Sequence, residues 1–150
     1  MNRPEKAKEL FKSGYNCAQA VVCAFADEFG LDEKTALALS SSFGGGMGRM
    51  RLTCGAVSGM FMLAGLKYGG YDLNDNAAKA QHYARIQELA GRFEEENGSI
   101  NCATLLGLKS EKSEPTPEIR TDKYYKKRPC AELVKSAAEI FEGDVGAIND

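Results

Sequence analysis

Five thiols are available for chemistry in this sequence, and four of them share one setting. Cys17, Cys54, Cys102 and Cys130 each follow a residue suited to starting a helix: Asn16-Cys17, Thr53-Cys54, Asn101-Cys102 and Pro129-Cys130. Asparagine and threonine accept hydrogen bonds from first-turn amides, and proline carries a helical φ already set. Each cysteine also begins the apolar stripe of its helix and is expected to point inward. A thiol at a helix N-terminus feels roughly half a positive charge, which can lower its pKa from ~8.5 toward ~3.5–7.5. Such sulfurs either attack disulfides or ligate metals. Cys54 is the candidate nucleophile, because glycines precede and follow it and leave room for a substrate or partner. Four neighbouring thiolates would repel one another, so a metal or cluster, a disulfide, or protonation must relieve the charge. Arg49 and Arg51 lie just before Cys54 and can contribute. Gly45, Gly46, Arg49, Arg51 and Gly55 therefore count as supporting residues.

Other patterns are weaker. There is no Cys-x-x-Cys, so ferredoxin and zinc-ribbon spacings are absent, and no Cys-x-x-Cys-His for covalent haem. Cys23, six residues after Cys17, lies round the helix and is read as incidental. Gly44 to Gly48 with Arg49 resembles an anion cradle but lacks the Gly-Lys-Ser/Thr ending of a P-loop, so it is read as a plain turn. His82, the single histidine, has no partner pattern, and Lys123 to Arg128 reads as a solvated basic loop.

The elements that must position the sulfurs are all helical. Pro4 to Lys12 puts Ala7, Leu10 and Phe11 on one face, and Gly14 ends it. Cys17 to Phe29 follows, closed by Gly30. Asp32 caps a third helix to about Ser42. Thr53 is expected to cap a fourth, Cys54 to about Tyr68, apolar nearly all round and therefore central. A long helix from about Asn74 to Glu96 should turn Ala80, Tyr83, Ala84 and Phe93 inward. A short one runs from Cys102 to Leu106. Residues 109–128 are charged, contain Pro115 and Pro117, and read as an arm. A last helix starts at Pro129, with Cys130, Leu133, Val134, Ala137 and Phe141 in one stripe. Short connections make successive helices antiparallel. That alternation brings Cys17, Cys54 and Cys102 to one end of the bundle, and the arm is long enough to return Cys130 there.

With 150 residues, 43% hydrophobic and 27% charged, the chain suits one domain with a sizeable core. A net charge of -2 gives no global field for nucleic acid or an anionic membrane. The longest uncharged run, Leu52 to Leu66, is shorter than the roughly 18–20 residues a span needs. The start of the chain has no apolar signal region, so a cytoplasmic location is expected, where static disulfides are disfavoured.

The order of these motifs is similar to that of a known family. Asn16-Cys17-Ala18-Gln19-Ala20, then Cys54-Gly55-Ala56-Val57-Ser58-Gly59, then Asn101-Cys102 with Leu105-Leu106-Gly107, then Cys130, resembles the C_GCAxxG_C_C family of redox-active proteins. The Gly44-Gly45-Gly46-Met47 turn also looks like that family, and the likeness covers nearly the whole chain. It implies a helical, cysteine-based redox protein, often linked with oxidoreductases or transporters. A similar cysteine region in split-Soret cytochrome c is associated with a two-iron iron–sulfur centre, which raises the cluster reading. The expectation is thus a single-domain all-α bundle with a redox end. It carries either a thiol/disulfide or an iron–sulfur or metal site on Cys17, Cys54, Cys102 and Cys130. It would act as an oxidoreductase or electron carrier with a redox partner protein or a small-molecule oxidant or reductant. The alternative is a structural zinc site or an interaction protein with reduced buried cysteines.

Overall fold

Local capping accounts for where the helices begin. The computed structural model describes residues 1–109 and 111–144. It contains α1 (Arg3–Lys12), α2 (Cys17–Phe25), α3 (Glu33–Ser40), α4 (Gly55–Tyr68), α5 (Asn76–Asn97), α6 (Cys102–Leu106), α7 (Asp122–Lys127) and α8 (Cys130–Glu142). Asn16 closes a full capping box with Gln19, and Asn2, Asp32, Asp75, Asn101 and Thr121 each accept an amide in their own first turn. Among the described residues there is no sheet; a single antiparallel bridge joins Thr53 to Asn101. The fold is all-α.

Several expectations shift. Thr53 does not cap α4, because that bridge engages it; Cys54 itself occupies the N-cap, one residue ahead of Gly55. α2 ends at Phe25 and continues as a 3₁₀ turn, Ala26–Phe29. α3 ends at Ser40, before a second such turn at Ser41–Phe43. The 109–128 arm is not wholly irregular: Thr121 starts α7 within it. The largest change is on α5. Ala80, Tyr83 and Ala84 face solvent, and the buried side chains are Arg85, Leu89 and Phe93. A buried ion pair sets that register: Arg85 Nη1 lies 3.0 Å from Asp144 Oδ2, and its guanidinium stacks 3.6 Å from the Tyr68 ring centroid.

α2 is the hub, packed on α1, α3, α4 and α8. α4 is apolar and buries Gly55 to Met60, Leu63 and Ala64. Phe11, Phe25, Phe93, Phe141, Met60 and Leu89 fill the core, with Phe25 and Phe141 edge to face at 5.0 Å. A packed aromatic pair contributes about 0.5–1.5 kcal/mol beyond its burial. Among the described residues, no helix is long and apolar enough to cross a membrane.

Candidate functional site: a cysteine cavity

Glycine spacing lets the helices carrying the sulfurs approach closely. A Cβ at Gly55 would lie 3.0 Å from Cys17 Cβ, and one at Gly59 would lie 3.0 Å from both Ala18 O and Val21 Cβ. The Gly-x-x-x-Gly face of α4 thus sits directly on the first turns of α2. That spacing seats Cys17 beside the start of α4. Gly46 does the same for the third cysteine: its missing Cβ would meet Cys102 Cβ at 2.6 Å and Leu52 N at 2.7 Å.

Backbone pairing fixes Cys54 against Cys102. The Cys54 amide donates to Ile100 O at 2.8 Å, and the Cys102 amide donates to Leu52 O at 2.6 Å, on either side of the Thr53–Asn101 bridge.

Residues 44–51 are the least ordinary backbone among the described residues. Gly45, Gly46 and Gly48 are left-handed, and so are Met47, Arg49 and Arg51, at φ 67, 66 and 61. Side chains with a Cβ pay for that conformation, which persists only where surrounding bonds over-determine it. They do so here. The Arg51 and Leu52 amides donate to Gly45 O and Gly46 O, Arg49 O accepts from Ser113 N, and Arg49 Nε donates to Glu114 O. Arg51 is held by two contacts, Nε to Ser113 Oγ at 2.8 Å and Nη1 to Cys102 Sγ at 3.6 Å.

The arm then folds over the sulfurs. Arg120 donates to Phe11 O and Tyr15 O and lies 4.2 Å above the Phe11 ring, while the Tyr125 hydroxyl donates to Lys12 O. Together these elements enclose a cavity of about 430 Å³ lined by all four of Cys17, Cys54, Cys102 and Cys130. Gly45, Gly46, Arg49, Arg51 and Gly55 line it too. Cys23 does not; it is buried with Val22, Ala26 and Ala36 in a separate cluster, and burial pushes its thiol up to about 11.

The sulfurs are not electrostatically alike, and here the helix-dipole expectation is corrected for three of them. Cys54, the residue read as nucleophile, is pushed up to about 12, because burial outweighs the pull of the Val57 and Ala56 amides. Cys102 is raised by burial against the opposing Arg51. Cys17 is raised well above the usual thiol range, first by the neighbouring Cys130 sulfur and then by burial. Cys130 alone is lowered. The neighbouring Cys17 thiol favours its charge, and so do Arg128, Arg120 and Arg51, against burial. Desolvation of a thiolate exceeds what a helix terminus returns unless a cation or donor is added.

Sequence reasoning missed Arg120, Arg128, Glu118 and Tyr124, all of which line the cavity. The available signal was Lys123 to Arg128, read as solvated loop; its nearness to Cys130 was the clue. Tyr124 is held protonated to about 12 by burial and by Cys130. All five cysteines are free thiols. Among the described residues, no three His, Cys, Asp or Glu side chains are placed to hold a metal ion.

No curated protein and no solved structure matched the chain. A family model did, over residues 15–143, and its description is "Putative redox-active protein (C_GCAxxG_C_C)". That span contains all four cavity cysteines, and the chain belongs to this redox-active family.

Proposed function

We propose that the protein works by dithiol–disulfide exchange, with Cys130 as attacking thiolate and Cys17 as resolving thiol. The observation that carries this reading is the cavity that Cys17 and Cys130 line together with Arg51, Arg120 and Arg128, whose charges favour a thiolate at Cys130. Exchange needs a thiolate whose pKa lies near ambient pH, a second thiol within reach, and access for the attacked disulfide. The cavity offers the third. Cys54 and Cys102, held protonated by burial, serve as a reserve pair or as structural groups.

The test is thiol mapping. Alkylation of the reduced protein at neutral pH, read by peptide mass spectrometry, is expected to label Cys130 first. In Cys17→Ser, a mixed disulfide formed at Cys130 should persist; in Cys130→Ser no mixed disulfide should form. Preferential labelling of Cys54 would sink the assignment. An iron–sulfur or metal centre is the competing chemistry, and it would require the four sulfurs to draw together from this arrangement. Anaerobic purification followed by iron, zinc and sulfide analysis separates the two. Stoichiometric iron with sulfide would replace the exchange reading by an electron-carrier one, and zinc alone would favour a structural site.

A further inference from the structure

We infer that the cysteine cavity takes a small dianionic disulfide, held by Arg49, Arg51 and Arg120 while one of its sulfurs meets Cys130. The disulfide part rests on the exchange reading above; the anionic part rests on the charge of the cavity wall.

The charged side chains of that wall are Arg49, Arg51, Arg120, Arg128 and Glu118. Arg128 is neutralised by Glu118. The other three donate to neutral acceptors: Arg49 to Glu114 O, Arg51 to Ser113 Oγ and Cys102 Sγ, Arg120 to Phe11 O and Tyr15 O. None of the three has a carboxylate partner among the described residues. A thiolate at Cys130 offsets one charge and leaves two. The chain as a whole carries -2, so this positive wall is a local construction and not a share of a basic surface. The backbone points the same way. Arg49 and Arg51 are two of three non-glycine residues in left-handed conformation among the described residues, and both line the cavity. Strain of that kind collects where a side chain must be aimed. A volume near 430 Å³ lies within the range of small-molecule sites. Enclosed cationic walls raise the local concentration of anions and their rates of arrival.

The reaction balances within these groups. The Cys130 thiolate bonds to one sulfur of the external disulfide, whose S–S bond breaks. The departing thiolate leaves with the electron pair and takes the Cys17 proton. Cys17 then attacks the Cys130 sulfur of the mixed disulfide, closing Cys17–Cys130 and releasing the second thiolate. Two cysteines are oxidised and one external disulfide is reduced to a thiol and a thiolate.

Three disulfides of similar length test the charge preference: dithiodiglycolate (dianion), bis(2-hydroxyethyl) disulfide (neutral) and cystamine (dication). Each rate with the reduced protein is divided by that compound's rate with dithiothreitol, which removes intrinsic reactivity. The dianion should react at least about tenfold faster than the dication, with the neutral compound between. The preference should shrink at high ionic strength and fall several-fold in Arg49→Gln. Adipate, the unreactive carbon isostere of dithiodiglycolate, should bind in calorimetry and compete with it. Equal normalised rates together with no adipate binding would overturn the anionic site while leaving exchange intact. Adipate binding with no reaction at Cys130 by any of the three would overturn the disulfide substrate and the exchange reading together.

Discussion

Adding a single methyl group at Gly46 should both destabilise the fold and disturb Cys102. Gly46 has φ +72, and the new Cβ would lie 2.6 Å from Cys102 Cβ, 2.7 Å from Leu52 N and 2.8 Å from Arg51 Cα. Two of those neighbours are backbone atoms, which cannot swing aside. The left-handed conformation costs an alanine about 1–2 kcal/mol. Forced overpacking adds about 1–3 kcal/mol. The lower entropy of the unfolded alanine chain adds to the stability of any variant whose native φ suits it, by about 0.4–1 kcal/mol, but that condition fails here. A loss of about 2–5 kcal/mol is expected, a large part of a typical stability of about 5–15 kcal/mol. Urea unfolding measures it as a lowered midpoint with an unchanged slope. Gly91→Ala is the control: Gly91 lies in the exposed face of α5 with nothing within 4 Å, and should gain about 0.5–1 kcal/mol. Alkylation of Cys102 should also quicken in Gly46→Ala, since the clash loosens its seat. A Gly46→Ala midpoint equal to the wild-type value would refute the claim that this glycine is dictated by close approach.

Three further outcomes follow from the same geometry. Cys17, Cys54 and Cys102 keep their protons beyond the ordinary thiol range, so above about pH 8.5 the unfolded chain loses protons that the folded one retains. Their contribution is whole below that pH and is lost as pH rises. Cys130 acts oppositely, its contribution being lost as pH falls through its lowered value. Stability measured by urea should therefore decline on the alkaline side, and Cys54→Ala should flatten that decline; a flat wild-type profile would count against the buried-thiol account. Arg85→Ala breaks an ion pair whose members are 1% and 2% exposed, and thermal unfolding should report a loss of about 3–5 kcal/mol. Arg120→Ala releases the arm from Phe11 O and Tyr15 O at a cost of about 1.5–3 kcal/mol for charged hydrogen bonds. Limited proteolysis within 111–128 should then quicken; unchanged cleavage would mean that Arg120 does not hold the arm down.

How far the sequence could be read varied with the range of the interaction. The caps at Asn16, Asp32 and Asn101 act within one helical turn, and they were visible as residue types. Thr53 looked equivalent, but a partner 48 positions away engages it, so the start of α4 moved by one residue and Cys54 became the cap. On α5 an alanine-rich stripe suggested the buried face. The structure buries Arg85 instead, because Tyr68 and Asp144 provide stacking and a counter-charge that no local pattern announces.

The sequence by itself determined that the chain is helical, that four cysteines stand at helix starts, and that glycines surround Cys54. These are consequences of capping and periodicity, which neighbouring residues carry. The tertiary structure decided that the four sulfurs line one cavity, that the arm covers it with Arg120 and Arg128, and that the sulfurs differ. The physical reason is that a thiol's charge is set by burial and by cations brought from distant segments. Those terms outweigh the local helix dipole, so burial raises Cys54 while the nearby arginines favour the charge of Cys130.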